Sequence, residues 1–146
     1  MRVVNRKARF QYQIVDRFEA GISLEGQEAK SVFLGRIHLD DAYVKIHNGQ
    51  ALLINAVIPQ YESARAAGYD PGRTRRLLLH KREILALATK TEQKNLTLVP
   101  ITCYNKGRKI KLEIGQVRGK RQFEKKEDLK RKEQERDLER DLSAKS

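Results

Sequence analysis

The chain has 146 residues, 39% hydrophobic and 34% charged, with 31 Lys plus Arg against 19 Asp plus Glu for a net charge of +12. That length suits one ordinary domain with its own core, and no apolar run approaches the ~18 residues that would span a bilayer. The cationic excess points to a polyanionic partner, nucleic acid before an acidic membrane surface.

The start, MRVVNRKARF, is basic but lacks the apolar run of a secretory signal, so the cytoplasm is the expected compartment. Residues 119–146 carry ten basic and eight acidic side chains, which leaves +10 on the residues before them. The chain therefore divides into a basic body, residues 1–118, and a charged tail, residues 119–146.

In FQYQIVDRFEAGISLEG, Phe10, Tyr12 and Ile14, then Phe18, Ala20, Ile22 and Leu24, recur at period two. One long strand over residues 10–24 is predicted, with a bend or bulge where Asp16 falls on the inward phase. QEAKSVFLGR holds good helix formers and ends at Gly35, a residue suited to a left-handed helix stop. In DDAYVKIHNGQALLINAVI, Asn48-Gly49 separates two β-leaning runs, the strongest short-range signal for a hairpin. Residues 59–76 lose all periodicity, and Gly68, Pro71, Gly72 and four arginines predict an exposed basic loop. Ile84, Leu85, Leu87 and Ala88 then follow helical spacing, predicting a helix over residues 80–93. Finally Ile110, Leu112 and Ile114 alternate with Lys109, Lys111 and Glu113, the second arm of a hairpin turning at residues 105–107. The single cysteine, Cys103, lies in an apolar β-leaning run and reads as a buried, inert thiol.

Five or six antiparallel strands with two or three helices fit a mainly β fold, a small closed barrel of the oligonucleotide-binding type. A two-layer α+β sheet is the alternative. No phosphate-cradling Gly-rich loop, GxSxG turn or HExxH helix is present, and His38, His47 and His80 lie far apart. One cysteine offers no zinc-ligand pair, so neither an enzyme nor a metal or cofactor is expected. The chemistry is instead electrostatic. NRKAR (residues 5–9) places three cations early in the chain, and RTRRLLLHKR (residues 73–82) places five more around an apolar core. Guanidinium groups grip phosphate with two parallel bonds and stack on bases, which suits folded RNA. Tyr12, Tyr43, Tyr61 and Tyr69 are the candidates for stacking.

The tail has nothing to bury. From 118 to 142 it reads RGKRQFEKKEDLKRKEQERDLERDL, and its leucines, Leu129, Leu138 and Leu142, form no heptad seam. Glu127 with Arg131 and Asp128 with Lys132 are favourable pairs four apart, each worth about 0.2–0.5 kcal/mol, too little to hold a lone helix. The expectation is a tail without stable structure when free, made helical by counterion release against a phosphate-lined surface.

In order, NRKAR, FEAGISLEGQEAKS, the NG hairpin, DPGRTRRLLLHKREI and GKRQFEKK resemble the SsrA-binding protein family, bacterial partners of transfer-messenger RNA, over nearly the whole chain. The resemblance implies a barrel that holds the tRNA-like domain of that RNA and delivers it to stalled ribosomes for trans-translation. It also implies a tail that enters the decoding site and the empty mRNA channel, against ribosomal RNA. Elongation factor Tu with alanyl-transfer-messenger RNA is a further implied partner, no membrane is involved, and a monomer is expected. Glu19 matches a carboxylate linked with RNA binding, and Leu78 and His80 match the other binding positions. Asn5, Arg6, Lys7, Arg9, Lys30, Arg75, Arg76 and Lys81 complete the expected RNA-contacting set.

Gly119, Lys120 and Arg121 match the hinge of the tail, while Glu124-Lys125-Lys126 stands where Asp-Lys-Arg is usual. With Lys130 and Arg131 these form the expected ribosome-binding set. Lysine at 126 keeps the charge but cannot make a forked arginine contact. The rival functions are a generic single-stranded nucleic-acid-binding barrel and a protein-interaction module. An aromatic content of 6% without tryptophan counts against the first.

Overall fold

Residues 1–61 and 68–119 are described by a computed structural model. In chain order the elements are β1 (Arg2–Val4), α1 (Arg6–Gln11), β2 (Tyr12–Ile22), α2 (Gly26–Phe33), β3 (Tyr43–His47), β4 (Gln50–Ile54), β5 (Arg75–Leu78), α3 (Lys81–Gln93), β6 (Thr97–Lys106) and β7 (Lys109–Gly119). All strand pairs are antiparallel, and β6, β3, β4, β5, β2 and β7 neighbour one another in that order. Pairing of β7 back onto β6 closes the ring, which removes the edges an open sheet would expose. The expected mainly β, oligonucleotide-binding-like barrel is therefore present, with three helices and one ring strand more than the usual five.

Local chemistry explains the turns. Asn48 and Gly49 take φ of 51° and 72° between paired His47 and Gln50, the backbone of a two-residue type I′ turn. Gly107, at φ 60°, opens the turn between paired Lys106 and Lys109, so that hairpin reverses at residues 107–108, slightly later than the sequence suggests. Gly35, at φ 77°, ends α2 and donates its N–H to the Val32 carbonyl at 2.8 Å. In β2 the register slips between Ile14, opposite Val117, and Asp16, opposite Gln116. This is the expected bulge. Its extra residue turns Asp16 to solvent rather than into the barrel.

The start of β2 differs from expectation. Phe10 belongs to α1, and the strand begins at Tyr12, because Asn5 starts a helix whose Ala8 is buried against Val99, Ile101 and Val117. The Asn5 Oδ1 accepts the Ala8 N–H at 3.1 Å, and its Nδ2 donates to Leu39 and Pro100 carbonyls at 3.0 and 2.8 Å. Its own N–H reaches the Ile101 carbonyl at 2.8 Å. Along β6 the neighbour changes from β3, at Leu98, to β1, at Thr102 to Tyr104, and Pro100 between them has no N–H. Asn5 stitches that gap. At 1% exposure its side chain is spent on these internal bonds as a structural cap, where the sequence suggests an exposed RNA contact.

Arg75 is the second correction. The sequence predicts a solvent-exposed basic loop through Arg76, yet β5 begins at Arg75 and its side chain is fully buried. Its Nε and one terminal nitrogen donate to Glu28 Oε2 at 2.9 and 2.6 Å, and the other terminal nitrogen donates to the Ala56 carbonyl at 2.8 Å. Glu28 Oε1 accepts from Arg73 at 2.5 Å and from the Glu25 N–H at 2.9 Å. Burial alone would raise the Glu28 carboxyl, but the bonds from Arg73, the Glu25 N–H and Arg75 outweigh it and hold the pKa below its ordinary value.

The rest of the interior is mainly apolar, built around Leu39, Leu53, Ile58, Leu77, Leu112 and Ile114, with Ser31, Thr102 and Gln116 as its other buried polar residues. Cys103 lies within it, and burial pushes its thiol up to about 12, which leaves it unreactive. The expectations for the tail, including Lys120, Arg121, Glu124, Lys125, Lys126, Lys130 and Arg131, lie outside the described residues.

Candidate nucleic-acid interface

β2 and β5 meet through Gly21 opposite Leu78 and Ile22 opposite Leu77, and β7 brings Lys111 opposite Gly21 from the other side. Strand alternation decides what faces outward. In β5, Arg75 and Leu77 point in, so Arg76 and Leu78 point out. Glu19, Gly21, Arg76, Leu78, Leu79, His80, Glu83 and Lys111 together line a cavity of about 400 Å³. Leu78 is 51% exposed within it, a large apolar side chain left in water. Gly21 permits this approach, since a Cβ there would sit 3.2 Å from the Leu78 Cβ. A second cavity shares Gly21, Leu78 and Lys111 and extends toward Leu24, Phe33, Arg108 and Lys109.

Glu19 is held by two neighbours. The Tyr104 hydroxyl donates to Oε2, and Lys106 Nζ lies between the two oxygens, 3.0 Å from Oε1 and 2.9 Å from Oε2. These bonds, Tyr104 first, lower the Glu19 pKa, while burial and the same bond push Tyr104 up to about 12. Glu19 thus stays an anion and Tyr104 stays a donor. A carboxylate has about four acceptor positions, so these two donors leave acceptor capacity for a ligand. His80 caps α3, its backbone N–H donating to Glu83 Oε1 at 3.2 Å, and its ring is exposed.

The mixture matters chemically. A site for phosphate alone would be cationic throughout. Here Arg76 and Lys111 supply positive charge, Leu78 an apolar wall, and Glu19 an acceptor that can take amino groups of bases. Such a set fits a folded RNA better than an extended polyanion.

Glu19 lies far in the chain from Leu78 and His80, and the fold brings the three together with Arg76. The other expected residues lie elsewhere. Arg6 and Arg9 are exposed on α1, while Lys7 pairs with Asp41 at 2.5 Å. That helix precedes Tyr12, about 23 Å along β2 from Glu19 at ~3.3 Å per residue. Lys30 sits 5.6 Å from the Tyr61 ring centroid, and Lys81 is exposed at the start of α3. None of the four tyrosines singled out in the sequence lines the groove.

Tyr104, Lys106 and Lys111 were missed. Their signal was the strict alternation of the last hairpin, which puts Lys111 outward, but only the register of β7 on β2 shows that it faces Gly21. Gly119 ends β7 opposite Tyr12, about 27 Å along the strand from Lys111 at ~3.4 Å per residue. Among the described residues no His, Cys, Asp or Glu cluster could hold a metal ion, and no helix is long and apolar enough to cross a membrane.

Fold and site together define a closed antiparallel barrel with a mixed apolar and charged groove on its surface. The family model for SmpB protein matches residues 2–144. The SsrA-binding protein of Gloeobacter violaceus is 46% identical over 138 residues, covering 94% of this chain and 91% of that protein. That of Microcystis aeruginosa is 50% identical over 137 residues, covering 93% and 89%. A solved structure described as "tmRNA-SmpB: a journey to the center of the bacterial ribosome" aligns with a TM-score of 0.69 at 40% identity, covering 88% of this chain and 94% of its own. The chain belongs to the SmpB family.

Proposed function

We propose that this protein binds the tRNA-like domain of transfer-messenger RNA in the groove at Glu19, Leu78 and His80 and brings that RNA to stalled ribosomes for trans-translation. One observation carries the reading: residues separated by some sixty positions converge with Arg76 and Lys111 on a single cavity. The relatives named as SsrA-binding proteins, and the similar structure described with tmRNA and the bacterial ribosome, support it. The protein supplies recognition, and peptide-bond chemistry stays with the ribosome.

Residues 119–146 form the second functional unit of this proposal. Their proximal cations enter the decoding site and the mRNA channel, and elongation factor Tu with alanyl-transfer-messenger RNA is the further partner. The distance between groove and tail root along β7 suits a molecule that holds RNA at one end and reaches ribosomal RNA from the other. Titrating the tRNA-like domain against Glu19→Ala and Leu78→Ala tests the groove, with circular dichroism recorded on the same samples. Weaker binding on an intact barrel is expected for both variants. Unchanged affinity in both would overturn the assignment of the groove.

A further inference from the structure

The strand that forms the groove has a sequence that does not choose its own register. β5 reads Arg75-Arg76-Leu77-Leu78, so either alternating phase contributes one arginine and one leucine to the interior. Advanced by one residue, the strand itself would bury Arg76 and Leu78 in place of Arg75 and Leu77 with the same apolar content, and only Leu79 beyond its end, half-buried against the core, would give up its place to His80. The outward face would then show Leu77 and Leu79, and the groove would lose the Arg76 cation. In a strand whose faces match so closely, hydrophobic patterning specifies register weakly.

A buried acid supplies the missing choice. Both oxygens of Glu28, itself fully buried, are taken up by Arg75 on one side and by Arg73 with the Glu25 N–H on the other. Arg73 and Arg75 are two residues apart, on the same face of an extended chain. In the advanced register the same two places would be held by Thr74 and Arg76, and one carboxylate oxygen would lose its guanidinium. No other two arginines in β5 or the six residues before it have that spacing. Burying an ion pair gains little stability over apolar side chains of similar size, so a specificity role explains its presence better than stability does.

We propose that Glu28 is a positioning residue: by reading the Arg-x-Arg spacing at 73 and 75 it sets the register of β5 and so decides that Arg76 and Leu78 face the groove. The consequence for RNA rests on the proposed function. The register itself does not, because it is measured without RNA.

The test moves the spacing rather than removing it. Arg73→Thr combined with Thr74→Arg keeps composition, charge and Glu28, and places the arginine pair at 74 and 76. Cross-strand proton contacts by NMR should then move from Gly21–Leu78 to Gly21–Leu79, at least as a second populated set. Affinity for the tRNA-like domain should fall roughly tenfold, the loss of one arginine contact. Glu28→Gln should likewise give two sets of contacts. A single unchanged set with Gly21 opposite Leu78 in the exchanged protein would overturn the proposal, whatever its RNA affinity. Weak RNA binding with a shifted register would leave the proposal standing, and absence of RNA binding in the wild type would fall on the function alone.

Discussion

Glu28→Ala should be among the most destabilising single substitutions in the barrel, and the geometry says by how much. Once the carboxylate is gone Arg75 keeps the Ala56 carbonyl and the neighbouring Tyr69 hydroxyl but loses its counter-charge, and its guanidinium is fully buried. Leaving one member of a buried ion pair alone costs about 3–5 kcal/mol. For a barrel of this size a kcal/mol moves the melting temperature by about 3–5 °C, so a drop of about 10–20 °C is expected. Replacing both Glu28 and Arg75 by leucine should recover most of that loss, since two apolar side chains leave no charge behind.

The pH dependence adds a sign. Glu28 ionises below its ordinary 4.5 in the folded protein, so its contribution is complete above that value and is lost as pH falls through the folded pKa. The gap between wild type and Glu28→Ala should therefore narrow in acid. Thermal melts monitored by circular dichroism between neutral pH and pH 3 measure all of this. A Glu28→Ala protein melting within about 3 °C of wild type, or a double variant less stable than Glu28→Ala alone, would refute the reasoning.

Gly115→Ala should destabilise the barrel by about 1–3 kcal/mol on thermal melting, because the new Cβ would stand 2.7 Å from the Ile101 side chain. Cys103 should resist thiol reagents in the native protein and react at once in denaturant, as its thiol is buried with a pKa near 12. Truncation before Lys120 should leave affinity for transfer-messenger RNA nearly intact while abolishing tagging on stalled ribosomes; equal loss of both would contradict the division of labour between body and tail.

Elements governed by local chemistry were legible in the sequence. Asn48-Gly49 demands positive φ at two successive residues, and period-two alternation around Asp16 placed the bulge of β2. The 80–93 helix was also plain, ending with Gln93 as expected and capped by His80. What stayed hidden depends on partners far along the chain. Phe10 and Tyr12 share a phase that suits a strand, and only the bonds from Asn5 to Leu39, Pro100 and Ile101 reveal a helix before Tyr12.

Arg75 was misread for the same reason. Among four arginines in an irregular stretch, nothing local marks the one that Glu28 draws inside. Of the groove, Glu19, Arg76, Leu78 and His80 could be named from motifs. Tyr104, Lys106 and Lys111 could not, since their place beside Glu19 is set by the pairing of β6, β7 and β2.

The most direct test of the proposed RNA recognition compares two ligands of equal length and charge, the folded tRNA-like domain and an unstructured oligonucleotide, across a range of salt concentrations. A groove that combines Leu78 and Glu19 with its cations should favour the folded RNA, and the preference should persist as salt weakens the purely electrostatic part of both. Equal affinities that decline together with salt would mean that the barrel binds charge alone, and would contradict the account.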